Sequence, residues 1–107
     1  MMEKHNGYTN YATWLVALHI GQDNDDQEFY TARGRWYNNN PVIEGGIDFT
    51  VYTFGQEIRG IIEEGMPLDD NGLYNDLLGH AIAFIDWHDL AEHYQAAAIE
   101  EDEYNTV

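Results

Sequence analysis

The sequence has 107 residues, which is enough for one hydrophobic core and a single domain. Hydrophobic residues make up 44% of the chain and aromatic residues 14%, so it is not a disordered acidic tail. The absence of cysteine excludes disulfides and thiolate zinc sites, and it is typical of a reducing compartment. The chain carries 20 Asp and Glu against 4 Lys and Arg, a formal net charge of −16. Because DNA, RNA and anionic membranes bind basic surfaces, we expect no direct binding to any of them.

The N-terminus and the apolar runs indicate a soluble, cytoplasmic protein. Residues 1–7 lack the apolar segment of a secretory signal. No apolar run reaches the ~18 residues that a membrane span requires.

The first two predicted helices begin at polar capping residues. Thr9 or Asn10 caps the first helix, which Gly21 ends and whose apolar residues recur at helical spacing: Tyr11, Trp14, Leu15 and Leu18. The second helix begins near Asn24, with acidic residues in its first turn, where the helix dipole favours them. It ends at residues 38–41, and we predict that its apolar stripe is Phe29, Ala32, Trp36 and Tyr37.

Residues 49–54 have strand propensity, so a short strand there is one alternative. The 3–4 spacing of apolar residues instead predicts a helix capped by Asp48, with an inner face of Val51, Phe54, Ile58, Ile61 and Ile62. Gly55 and Gly60 would each cost about 1 kcal/mol relative to alanine in this helix. Alternatively, they mark positions where another helix approaches closely.

Two further helices complete the predicted fold. Residues 69–71 cap the fourth helix, with an apolar face of Leu73, Leu77, Leu78, Ala81, Phe84 and Ile85. Asp86 caps the fifth helix, with Asp89 three residues on as in a capping box, and its inner face is Trp87, Leu90, Tyr94 and Ala97. The sequence therefore predicts an all-α, single compact domain of about five helices over residues 1–107. We expect residues 1–8 and 100–107 to be loosely ordered.

Residues 10–18, Asn10-Tyr11-Ala12-Thr13-Trp14-Leu15-Val16-Ala17-Leu18, carry a recognisable motif. They resemble the opening motif, Asn-aromatic-x-Thr-Trp-x-Val-x-Leu, of a family of small phage- and plasmid-borne proteins of unknown function. Residues 72–78 and 85–93 are similar to the second conserved block of that family. The resemblance implies an all-helical domain from a mobile element, acting in the cytoplasm of a host bacterial cell. The insertion at residues 39–47 lies outside the motif, as do the acidic loops.

Three acidic clusters are the candidate partner-binding residues. They are Asp23, Asp25, Asp26 and Glu28; then Glu63, Glu64, Asp69 and Asp70; then Glu100, Glu101, Asp102 and Glu103. Duplex DNA carries one charge per ~1.7 Å, so 16 net charges correspond to about 27 Å of duplex. A compact chain of this length has a radius of gyration of about 13 Å and spans roughly 30–35 Å. The charge per unit length is therefore comparable to that of duplex DNA.

This density predicts an acidic nucleic-acid mimic that inhibits a host defence complex by occupying its basic DNA- or RNA-binding site. The target would be a CRISPR effector or a restriction enzyme, which makes the chain an anti-CRISPR or anti-restriction protein. Two alternatives remain: adaptation to high salt, and a helical adaptor or regulatory protein of a mobile element that binds through an aromatic patch. In the second, acidity serves solubility only. The oligomeric state is left open, with a dimer among the alternatives.

The sequence gives little support for an enzyme active site or a metal site. The chain has neither serine nor cysteine, which excludes those nucleophiles. Residues 23–34 fail the EF-hand pattern, because Glu28 and Gly34 stand where Gly and Glu are required. His88, Asp89, Glu92 and His93 lack the His-Glu-x-x-His spacing of a zinc site. We therefore predict no enzyme activity, no metal and no cofactor, and we expect the arginines to pair internally.

Overall fold

The structure, a computed structural model, describes residues 6–65 and 79–105. In these ranges the chain forms α1 (Tyr11–Gly21), α2 (Asn24–Asn39), α3 (Thr50–Glu64) and α4 (Trp87–Asn105), with short strands β1 (Ile43–Glu44) and β2 (Ile47–Asp48). Residues 79–82 are also helical. The prediction of an all-α, single compact domain is therefore confirmed, with a two-strand hairpin as the exception. No helix in the described ranges is long and apolar enough to cross a membrane.

Polar side chains cap α1 and α4 at the predicted places, and the start of α3 differs. Asn10 caps α1 by accepting the backbone N–H of Thr13 at 2.9 Å. Asp86 precedes α4 and accepts the N–H of Asp89 at 3.0 Å. The prediction that Asp48 caps α3 is wrong, because Phe49 is the N-cap; Asp48 lies one residue before it and accepts hydrogen bonds from the N–H and hydroxyl of Thr50. The Thr50 hydroxyl, followed by its N–H, lowers the pKa of Asp48.

Two boundaries differ from the sequence pattern. The fourth predicted helix ends at Ile82 rather than Ile85, and turn hydrogen bonds from Phe84 and Ile85 to the carbonyls of Ala81 and Ile82 follow it. Its predicted cap at residues 69–71, and its residues through 78, lie outside the described ranges. Helix α4 continues to Asn105, well past residue 100.

Helices α2 and α3 both pack against α4 to form the core. Phe54 and Ile58 of α3 and Leu90 of α4 are fully buried. Two glycines allow this contact, since a Cβ at Gly34 would lie 2.6 Å from the Tyr94 carbonyl oxygen and one at Gly55 would lie 3.0 Å from that of Trp87. The close approach at Gly55 was predicted and the one at Gly34 was missed. Among the described residues no atom lies within 4 Å of a Cβ at Gly60, so the close approach predicted there is not seen in this part of the chain.

The inner faces of α3 and α4 agree with the prediction, since Trp87, Leu90 and Tyr94 are buried and Ala97 is half-buried. The predicted faces of α1 and α2 are only partly correct, since Trp14 and Leu15 are half-buried and Tyr37 is buried but the other predicted residues are exposed. In α1 the buried residues are Thr13 and Ile20, whereas Tyr11 and Leu18 are exposed.

The buried face of helix α2 also differs from the predicted one. Its buried residues are Tyr30, Thr31, Gly34 and Tyr37, and of the predicted stripe Phe29, Ala32 and Trp36 face solvent. The physical reason is that α2 packs through Gly34. The large apolar side chains on the other side of the helix therefore point away from the core.

The predicted strand alternative at residues 49–54 is wrong, because Thr50 starts α3. Strands form instead in the preceding loop, where β1 pairs antiparallel with β2 in the register Ile43↔Asp48 and Glu44↔Ile47. Gly45 and Gly46 connect them with φ of 58° and 80°. Two consecutive residues at positive φ make the tight turn that a two-residue hairpin requires, and glycine adopts it without strain.

The two motif segments of the sequence meet in space. The buried Thr13 hydroxyl donates to the Asn10 side chain at 2.7 Å and accepts the N–H of Asp86 at 2.9 Å. Asp89, predicted to close a capping box with Asp86, instead accepts the N–H of Thr9 at 2.8 Å. The motif residues therefore join the start of α1 to the start of α4, which is a structural role.

Candidate functional site

The first acidic cluster lies at the start of α2. Asp23 is the N-cap, and its carboxylate accepts the N–H groups of Asp25 at 2.9 Å and Asp26 at 3.3 Å. Asp25, Asp26 and Glu28 are exposed. Negative charge here is stabilised by the helix dipole. The fold therefore accounts for Asp23 and tolerates its neighbours.

The second cluster lies at the C-terminal end of a helix, whereas the first lies at an N-terminal end. Glu63 and Glu64 are exposed in the last turn of α3, and Glu63 accepts a hydrogen bond from Arg59 at 2.7 Å. Carboxylates beside a helix C-terminus oppose the dipole, at a cost of about 0.3–1 kcal/mol each at low ionic strength. Asp69 and Asp70, which belong to the same predicted cluster, lie outside the described residues.

The third cluster occupies the last turns of α4. Glu100, Glu101, Asp102 and Glu103 are exposed, in helical backbone that was expected to be loosely ordered. Arg35 of α2 binds two of them, with Nε 2.8 Å from Asp102 and Nη2 3.3 Å from Glu101. The last turn of α4 contains no basic residue. These acids also oppose the helix dipole, so helix stability does not explain them.

One member of the third cluster lies in a recess that is shared with α2. Gln27 of α2 and Glu100 of α4 line one recess of about 290 Å³, together with Tyr8 and His93. The Tyr8 ring stacks on His93 at 4.0 Å between centroids. Burial, followed by the charge of Asp89, raises the pKa of Tyr8. Among the described residues, no hydrogen bond or ion pair joins Glu63 or Glu64 to either of the other clusters.

All three arginines form ion pairs within the chain, as predicted. Arg33 binds Glu57 through two nitrogens at 2.8 and 2.6 Å, and the Tyr37 hydroxyl donates to the same carboxylate at 3.1 Å. Arg33 is the main cause that lowers the pKa of Glu57. Arg35 and Arg59 pair with the acids of the third and second clusters. No arginine charge on this surface is therefore left uncompensated.

Seven of the described acids have no hydrogen-bonding or ionic partner and supply the surplus charge. They are Asp25, Asp26, Glu28, Glu44, Glu64, Glu100 and Glu103. Five of the seven belong to the first and third clusters. The residues predicted from composition thus include most of the acids that remain available to a partner.

The spatial density of the charge differs from the prediction. The radius of gyration is 15.2 Å and the longest dimension is 52 Å, against the ~13 Å and 30–35 Å expected for a compact chain. Dividing 52 Å by 16 net charges gives one charge per about 3 Å. This value is close to the ~3.4 Å of a single nucleic-acid strand and about half the density of a duplex.

The histidine group on α4 forms separate pairs. His88 lies 3.4 Å from Glu92, and His93 lies 3.5 Å from Asp89 and 3.2 Å from the carbonyl oxygen of Gly7. Residues 6–65 and 79–105 contain no group of three or more His, Asp or Glu arranged to hold a metal ion. The described acids therefore act as surface charges and as partners of Arg, His, Thr and backbone N–H groups.

Sequence reasoning missed one feature of this surface, the exposed apolar stripe of α2. Phe29 and Trp36 are each 47% exposed. Their spacing was read as a buried face, and the small residues Thr31 and Gly34 were the only signal of the true orientation.

Comparison with known proteins identifies a family without an assigned activity. Neither a curated protein nor a solved structure matches the chain significantly. The chain belongs to DUF7249, a family of unknown function whose model matches residues 1–107.

Proposed function

We propose that this protein is an acidic nucleic-acid mimic that inhibits a host defence complex, a CRISPR effector or a restriction enzyme, by occupying its basic DNA- or RNA-binding site. The observation that carries the proposal is the surplus of carboxylates without a partner, of which Glu64, Glu100 and Glu103 lie toward helix C-termini, where negative charge is unfavourable. Acids at the C-terminal ends of α3 and α4 cost folding free energy. A cost that the fold does not recover is expected at functional positions.

The pairing of every arginine within the chain supports the same function. A cationic groove of the target would contact carboxylates that have no partner in this chain. Arg33, Arg35 and Arg59 would not repel that groove, because each is paired with an acid. Complementary charge of this kind accelerates association and excludes the competing ligand.

The resemblance of residues 10–18 to a motif of phage- and plasmid-borne proteins supplies the biological setting. A mobile element benefits from an inhibitor that acts in the cytoplasm of its bacterial host. The motif residues themselves bind within the fold, through Asn10, Thr13 and Asp86. The inhibitory surface is therefore assigned to the acids and not to the motif.

A transformation assay tests this proposal. Strains carrying an active restriction enzyme or an active CRISPR effector receive a targeted plasmid, with and without the chain. We expect the chain to raise transformation efficiency in one of the strains. The double variant Glu28→Gln and Glu100→Gln should lose much of this effect, because it removes one unpaired charge from the first cluster and one from the third.

The matched control is Glu44→Gln with Glu92→Gln, which changes net charge equally at exposed positions outside the clusters. Retained activity in this control and loss in the cluster variant would support the proposal. Equal loss in both would mean that only total charge matters. No gain in transformation in any strain would contradict the proposed function.

A further inference from the structure

The outward face of α2 joins an apolar stripe to unpaired acids. Asp25, Phe29, Ala32 and Trp36 follow one another at i, i+4, i+7 and i+11, so they lie on one side of the helix. All four are exposed, whereas Tyr30, Thr31, Gly34 and Tyr37 are buried on the opposite side. A surface helix normally has the reverse arrangement, with its large apolar residues inside. We call Phe29, Ala32 and Trp36, together with Asp25 and Glu28, the α2 stripe.

Trp36 packs against two neighbouring side chains although it is half exposed. The Arg33 guanidinium lies 4.9 Å from the centre of its ring, and the Tyr37 ring meets it edge-on at 5.0 Å. Arg33 is itself fixed by its two hydrogen bonds to Glu57. A pre-ordered aromatic side chain loses little entropy on binding, and Trp is enriched among the residues that dominate interfaces.

The charges around the α2 stripe indicate which kind of partner it binds. Asp25, Asp26 and Glu28 lie at its N-terminal end without a hydrogen-bonding or ionic partner among the described residues. Arg33, on its flank, is neutralised by Glu57. A second copy of a chain with a net charge of −16 would meet the same acids, so self-association is opposed by repulsion. A cationic surface with apolar side chains fits both parts of the stripe.

We propose that the α2 stripe is the anchor of the protein–protein interface and that its occupant is a basic amphipathic helix of the partner protein. The stripe runs from Asp25 to Trp36, a rise of eleven steps or about 16 Å at 1.5 Å per residue, which matches roughly three turns of a helix packed alongside. The apolar residues of the partner helix cover Phe29, Ala32 and Trp36, and its lysines or arginines reach Asp25 and Glu28. This inference depends on the proposed function in one respect, the positive charge of the partner.

A defined peptide pair tests the stripe directly. One probe is a 14-residue amphipathic helix of leucine and lysine, and the other keeps the lysines and replaces every leucine with glutamine. Binding of each labelled peptide to the full chain is measured by fluorescence anisotropy. We expect the leucine peptide to bind at least about tenfold more tightly, as one moderate aromatic anchor would give. Ala32→Arg and Trp36→Ala should each reduce this preference to near one.

Ala96→Arg is the matched control, because it adds the same charge at an exposed alanine on α4. It should leave the preference intact, and the helical circular dichroism of all variants should equal that of the wild type. Equal binding of the two peptides to the wild type, or an equal effect of Ala32→Arg and Ala96→Arg, would overturn the inference.

Two other occupants are outcomes of the same experiment. Sedimentation showing a dimer that Trp36→Ala dissociates would overturn the inference in favour of a second copy. Binding to phosphatidylcholine vesicles that requires Trp36 would overturn it in favour of a lipid surface. Failure of the transformation assay with a positive peptide result would reject the proposed function and leave the α2 stripe in place.

Discussion

Replacing Gly34 with alanine should destabilise the protein, although alanine is the better helix former. In an unobstructed helix the change would gain about 1 kcal/mol. At this position, however, the new Cβ would lie 2.6 Å from the Tyr94 carbonyl oxygen and 3.0 Å from the Gln95 nitrogen, both backbone atoms. No rotamer change can relieve that clash, so α2 and α4 must separate. Overpacking of this kind costs about 1–3 kcal/mol or more.

The net effect expected for Gly34→Ala is a loss of about 1–2 kcal/mol, since the overpacking cost exceeds the gain in helix propensity. For a domain of this size that lowers Tm by roughly 5–15 °C. Gly60→Ala is the control, because Gly60 also lies inside a helix but no atom of residues 6–65 or 79–105 comes within 4 Å of the added Cβ. It should raise stability by about 0.5–1 kcal/mol. Urea and thermal unfolding followed by circular dichroism measure both. Equal or greater stability of Gly34→Ala than of the wild type would refute the close crossing of α2 and α4.

Three further predictions concern the buried and paired polar groups. Glu57→Gln should lower the free energy of unfolding by about 1 kcal/mol at neutral pH. Because Arg33 lowers the pKa of Glu57, the stabilisation by this ion pair is lost as pH falls through the lowered pKa. Urea unfolding measured across pH should therefore show the difference between the variant and the wild type disappearing at low pH. Thr13→Val should cost about 2–3 kcal/mol in the same assay, since it leaves the Asp86 N–H without its acceptor; an unchanged midpoint would contradict this. Burial raises the pKa of Tyr94 well above its ordinary 10.0, so the unfolded chain ionises first and stability falls as pH rises above that value. Tyr94→Phe should therefore unfold at a higher pH than the wild type in an alkaline titration, and an identical midpoint would count against it.

Apolar spacing predicted the helices whose orientation is set by large side chains. Phe54 and Ile58 in α3 and Leu90 in α4 are both the regularly spaced residues and the fully buried ones. In α1 and α2 the orientation is set by small and polar residues. Thr13 is buried because it bonds Asp86, and Gly34 is buried because it touches Tyr94. A pattern based on apolar residues gives little weight to such contacts, so it assigned several exposed residues of α1 and α2 to the buried faces.

The sequence predicted which residue types form the candidate site, but not how they are arranged in space. The sequence predicted a strongly acidic surface and the internal pairing of the arginines. It could not determine that Arg35 would neutralise Glu101 and Asp102 rather than nearer acids, because that pair joins residues far apart in the chain. The exposed face of α2 was likewise hidden, since its spacing is that of a core helix. Tertiary contacts decide both features.

The most direct test of nucleic-acid mimicry is competition for the target. The immobilised chain captures its partner from a host lysate, and the bound partner is challenged with duplex DNA, with single-stranded DNA and with increasing salt. The account predicts release by nucleic acid and a steep loss of affinity with salt, as expected when many carboxylates face a basic groove. Retention of the partner unchanged by competitor DNA and by salt would contradict it and would favour an adaptor whose acidity serves solubility alone.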